Sequence, residues 1–145
     1  MTTKDSVQLE KADRLFRYNW LTTGLMAGGV AVLAVLLAQF LALQQFSEIT
    51  QFEPLRSYPR TIAFVMIPAL IASRLLAWLG QNRAQPVRTF IGISVVVLLL
   101  SFIPDFALPL AGKTVLASSV AAGLHVIAAI IIVLVLTQSY RRQVS

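Results

Sequence analysis

The chain has no cysteine and a single histidine, His125, in 145 residues. Without cysteine there is no disulfide framework, thiolate metal site or cysteine nucleophile. One histidine also rules out metal sites built from clustered imidazoles. Charge is scarce as well: 12% of residues are charged, against roughly 25% in ordinary soluble domains. Only six residues are acidic, and no two form a closely spaced pair on an apolar run, so paired-carboxylate chemistry has no foothold. Together these gaps exclude most enzyme classes.

What remains is apolar. Hydrophobic residues make up 57% of the chain, and the mean hydropathy is +0.78. The hydrophobic residues gather in four runs, at about 20–43, 61–79, 86–103 and 115–136. A helix needs about 20 apolar residues to cross a bilayer at 1.5 Å per residue, and each run is near that length. The twelve basic residues give a net charge of +6, but they flank the runs as topology signals rather than forming a nucleic-acid stripe. No nucleic-acid partner is expected. The fold class is all-α: an antiparallel bundle of four transmembrane helices in the cell membrane (inner or plasma), spanning 20–138, with a polar segment 1–19 before it and a basic tail 139–145 after it.

Charge also orients the bundle. Eight basic residues lie in the N-terminal segment, the 80–88 turn and the tail, whereas three (Arg56, Arg60, Lys113) lie on the opposite side. The positive-inside rule then places both termini in the cytoplasm. In the N-terminal segment Ser6 is a candidate helix cap, with Leu9, Phe16 and Trp20 along one face. The segment reads as a solvated extension of the first span, with an interfacial amphipathic helix as the alternative. In the first outer loop, Phe46, Ile49, Phe52 and Leu55 recur every three residues, Ser47 can cap, and Pro54 would end a helix of one to two turns. That pattern predicts a short amphipathic helix resting on the outer face, shielding the bundle or docking a partner.

Several residues within the runs stand out. Gly24 and Gly28 form a GxxxG pair in the first span, followed by Ala31, and the fourth span opens with small residues that include Ala121 and Gly123. Small residues let helices approach closely, so these five are expected at helix contacts, with Gly28 or Ala31 facing Ala121 or its neighbours. Pro68 cannot donate to the Phe64 carbonyl and predicts a kink in the second span. Arg74 lies inside the same span, where a cation is costly unless it snorkels to the interface. Snorkelling is the favoured reading. The third run is expected to stop at Ile103-Pro104-Asp105. Asp105 then either caps locally, pairs with Lys113, or marks the mouth of a cavity. His125 sits mid-span and needs a partner, expected to be a serine, the Phe64 carbonyl, or Arg74 through water.

Residues 60–136 resemble a family of small bacterial four-span membrane proteins of unknown function. The resemblance rests on LLAWLGQNR (75–83), VVVLLLSFIP (95–104) and LHVIAAIII (124–132). The N-terminal segment and the 44–60 loop look like departures from the family pattern. The resemblance implies four spans with His125 on a helix, and it implies no activity.

The functional reading is a non-enzymatic accessory subunit or scaffold. It acts through helix packing and surface contacts with the bilayer and with other membrane proteins or copies of itself, and no cofactor or metal is expected. One alternative is a carrier of a small solute, ion or proton using Arg74, His125 and Asp105 as an intramembrane polar site. The other is haem or chlorophyll-type pigment binding through His125.

Overall fold

A computed structural model describes residues 3–144, with side chains from Asn19 to Gln143 and those of Ser6, Val7 and Glu10. The described residues are almost wholly helical. Helix α1 runs Thr3–Gln45, followed by a 3-10 turn at Ser47–Gln51 and the one-turn helix α2, Glu53–Arg56. Helices α3 (Tyr58–Asn82), α4 (Pro86–Ala107) and α5 (Val115–Val144) complete the chain. Four segments are long and apolar enough to cross a membrane: Asn19–Gln45, Tyr58–Asn82, Pro86–Ala107 and Val115–Gln143. The chain is therefore a multi-pass membrane protein by length and composition of its helices.

The helix boundaries correct the sequence reading in two places. Ser6 does not cap a separate helix, because α1 already begins at Thr3 and runs unbroken into the first span. The side chains of Leu9 and Phe16 lie outside the described residues, so their expected common face does too. The third span does not stop at Pro104 but continues to Ala107. Pro104 forfeits only the hydrogen bond its N–H would give to the Leu100 carbonyl, and the helix still closes its last turn with the Leu108 N–H on the Pro104 carbonyl, 3.2 Å. Pro68 lies inside α3, which is a single helix from Tyr58 to Asn82.

The helices pack in a ring, α1 against α3 and α5, and α4 against α3 and α5. A Cβ placed on Gly24 would meet Ser73 and Leu70, and one on Gly28 would meet Met66 and Ala69. Rising numbers on α1 thus meet falling numbers on α3, which makes the pair antiparallel. The GxxxG face packs on the second span rather than on the fourth. Lipid provides no hydrophobic gain for helix association, so such close backbone approach is what holds α1 to α3. Ser73 adds a hydrogen bond from its Oγ to the Trp20 carbonyl, 2.6 Å.

Ala31 and Ala121 are both buried, but in separate apolar clusters. Ala31 belongs to the main core, with Leu76, Phe90 and Leu136. Ala121 belongs to a smaller cluster with Ala117 and three loop residues, Ile49, Phe52 and Leu55. The expected facing of Ala31 on Ala121 therefore gives way to two cores stacked along the bundle. Gly123 departs further: a Cβ built there meets nothing within 4 Å. It faces outward, away from any contact within the chain.

The segments 46–57 and 108–114 interlock at one end of the bundle. Gly112 adopts φ +69°, and a Cβ there would lie 2.1 Å from the Gln51 carbonyl oxygen. Only glycine fits both the backbone angle and the space. The Glu53 N–H donates to the Ala111 carbonyl across the same junction, at 3.5 Å. We call this the loop end, and the opposite one the terminal end.

Candidate functional site

Asp105 lies in the last turn of α4, where helix carbonyls lack intrahelical donors. Those of Pro104, Asp105 and Phe106 receive partners here. Pro104 O accepts from the Leu108 N–H at 3.2 Å. Asp105 O accepts from Ser118 Oγ at 2.7 Å. Phe106 O accepts from Lys113 Nζ, which also reaches Leu108 O at 3.1 Å. Lys113 therefore serves the C-terminal carbonyls of α4, as a cation at a helix C-terminus should. The expected pairing of Lys113 with the Asp105 carboxylate does not occur.

Instead the carboxylate meets His125. Side chains on a helix lean toward its N-terminus, so the imidazole on α5 points back by one turn, toward the loop end. Its Nδ1 lies 2.9 Å from the Ala121 carbonyl oxygen and 3.2 Å from Asp105 Oδ2. The aligned hydrogen bond is the one to Ala121. Asp105 Oδ2 is sealed from solvent without a well-directed donor, so its link to the ring is chiefly electrostatic. Both neighbours of Nδ1 are acceptors, which assigns the hydrogen to Nδ1. The Asp105 side chain is 10% exposed and that of His125 39%. The carboxylate is thus enclosed while the ring retains an open edge.

The partners expected for His125 were a serine, the Phe64 carbonyl or Arg74, and the structure supplies an aspartate and a carbonyl of its own helix. Arg74 is far from this pair. Its guanidinium sits 5.6 Å from the Trp20 ring centroid, and Trp20 opens the first span at the terminal end. The side chain is exposed, in keeping with snorkelling and a cation–π contact. Of the three polar residues read from the sequence, His125 and Asp105 come together and Arg74 stays apart.

Sequence reasoning passed over Gln39. This residue is fully buried, its Nε2 donates to the Leu55 carbonyl at 2.8 Å, and its Oε1 has no partner. It anchors α2 to α1, since no α2 carbonyl can find a donor within a single turn. The signal was present: a lone glutamine in LLAQFLAL (36–43) is a polar group with no water to satisfy it. Among the described residues no group of three or more His, Asp or Glu could hold a metal ion.

Four apolar helices with an aspartate–histidine contact between the third and fourth of them define a small helical membrane protein. Residues 11–142 match a family of unknown function (DUF6069), and the chain belongs to that family. The match runs through the 44–60 loop and takes in the N-terminal segment from residue 11 onward. Comparison with curated proteins and with solved structures gives no match.

Proposed function

We propose that the protein is a non-catalytic membrane subunit that works by lateral association with other membrane helices. The observation that carries this reading is where the glycines point. Gly24 and Gly28 are filled by α3, whereas Gly29, Gly92 and Gly123, on three different helices, have open space around them. Glycine weakens a helix by roughly 1 kcal/mol relative to alanine, and in a membrane its return is close approach of another helix. Helix α4 adds to this. It buries only Phe90 and Asp105 and turns Val95, Val96, Val97, Leu99, Leu100 and Ile103 outward. The terminal end, which carries eight of the flanking basic residues, is the cytoplasmic one in this reading. Reporter fusions after Ser47 and Gln85 check it by reporting opposite sides.

Extraction from native membranes in mild detergent tests the proposal. The protein should migrate as a complex with a defined partner or with itself, and Gly92→Leu should dissociate it. The second reading, a proton or ion carrier, draws on the enclosed Asp105–His125 contact. A lone monomer that conducts in proteoliposomes, with flux lost in Asp105→Asn, would replace the subunit reading with that one.

A further inference from the structure

We infer that the outer groove between α1 and α3 at the terminal end binds an anionic phospholipid, with Arg74 on its phosphate and the acyl chains along α3. The inference starts from an arginine without an acid. At the loop end Arg60 pairs with Glu53 at 3.1 Å, and Lys113 is taken up by the carbonyls that close α4. Arg74 has neither kind of partner among the described residues. Its guanidinium lies over the Trp20 ring, 5.6 Å from the centroid, and a planar fork of five N–H donors is left for a ligand. Ser73 Oγ bonds the Trp20 carbonyl, so the next residue, Arg74, leaves α3 level with Trp20. Trp20 stands at the start of the first span, Asn19–Gln45, which is the boundary between headgroups and hydrocarbon where tryptophan gathers.

The surroundings fit a lipid rather than a soluble anion. Both tryptophans of the chain stand beside Arg74. Trp20 makes the ring contact, and Trp78, exposed, is one turn further along the same side of α3. Toward the membrane centre that side continues in Ile71, Ile67 and Phe64, all exposed. Cation and interfacial aromatics followed by an apolar track match the order of a phospholipid, phosphate first and acyl chain after. A soluble phosphate would use only the cation. Charge then selects an anionic headgroup. From residue 19 onward the terminal end carries Arg74, Arg83, Arg88, Arg141 and Arg142, whereas Glu48, Glu53 and Asp105 are all at the loop end. The remaining acids, Asp5, Glu10 and Asp13, are on α1 at least seven residues before Trp20, about 10 Å or more outward. A zwitterionic headgroup would set its own ammonium among these arginines, and an anionic one would not. A guanidinium also matches two phosphate oxygens at once. The site is independent of the subunit reading, because it uses none of the outward glycines.

The two tryptophans report on the site directly. The experiment follows their fluorescence in the full-length protein in phosphatidylcholine nanodiscs. Phosphatidylglycerol or phosphatidylcholine with brominated acyl chains replaces the host lipid in rising mole fraction, and bromine quenches an indole that it touches. In the wild type, brominated phosphatidylglycerol should quench at about fivefold lower mole fraction, the scale of one basic side chain at an anionic surface. Arg74→Gln should retain its helicity and lose that preference. Arg83→Gln, just past the end of α3, should keep it. Inorganic phosphate at constant ionic strength should leave the quenching unchanged. Equal quenching by the two lipids in the wild type overturns the inference, and that comparison needs no variant to fold. A preference that survives Arg74→Gln overturns it as well. So does an equal loss in Arg83→Gln, which would mean a diffuse basic surface in place of a site. Displacement by inorganic phosphate would give Arg74 to a soluble anion, and the inference falls there too.

Discussion

Helices α1 and α3 meet by close backbone approach with one hydrogen bond beside it, whereas α4 and α5 add two polar links near the loop end to their apolar contact around Phe90. Between α1 and α3 the backbones close in over Gly24 and Gly28, with Met66, Ala69 and Ser73 filling the grooves. Between α4 and α5 the named links are polar: Ser118 to the Asp105 carbonyl, and His125 to its carboxylate. The first mode is a sum of many small dispersion terms and tolerates no added bulk. The second depends on a few atoms and tolerates bulk well but not the loss of a donor. One pair of helices is fitted by shape, and the other is in addition fastened at points.

The largest effect should come from the joint between the halves. Gly112→Ala forces a side chain onto φ +69° with its Cβ 2.1 Å from the Gln51 carbonyl oxygen. Backbone strain and overpacking cost roughly 1–3 kcal/mol each. Thermal unfolding in detergent should show a loss of several kcal/mol. An unchanged transition would mean that the loops do not lock the halves together.

Next comes the shape-held half. Gly24→Val puts a Cβ 2.9 Å from Ser73 Cβ, an atom with no freedom to move aside. About 1–3 kcal/mol of destabilisation is expected, whereas Gly29→Val, in open space, should be near neutral. Equal effects at the two glycines would erase the distinction between a packed and an outward face.

The smallest effect belongs to the polar half. Asp105→Asn and His125→Gln, alone and together, form a double-mutant cycle. Polar pairs within membrane bundles average about 0.6 kcal/mol, with a maximum near 1.7. A coupling energy in that range would match a point fastening. A coupling of zero would leave Ser118 and Lys113 as the only ties of the α4 end.

The four spans were legible because hydrocarbon imposes a length and a composition that no tertiary contact overrides. So was the identity of two of the polar residues, since an Asp and a His in apolar surroundings are conspicuous by cost. Their pairing was not. It depends on α4 running past Pro104 to Ala107, which brings Asp105 into the bundle, and on Lys113 being engaged by the helix-end carbonyls. Both are outcomes of loop geometry rather than of pattern. The GxxxG face was legible as a face, but nothing in Gly24 or Gly28 says whether α3 or α5 fills it. Gln39 was visible and overlooked, because its partner, the Leu55 carbonyl, belongs to a loop whose path the sequence does not dictate.

The seat that Gly112 occupies against Gln51 has a consequence in time. Gln51 leaves the ribosome roughly sixty residues ahead of Gly112, which at about 5–20 residues per second is several seconds of synthesis. During that interval the first two spans can already pair through their glycines, while the 46–57 segment waits without its counterpart. The apolar side chains it later buries, Ile49, Phe52 and Leu55, spend those seconds uncovered by the last hairpin. Insertion of α4 and α5 is thus the step that closes the molecule, and a chain arrested before residue 112 would hold a paired first hairpin with an unlatched loop.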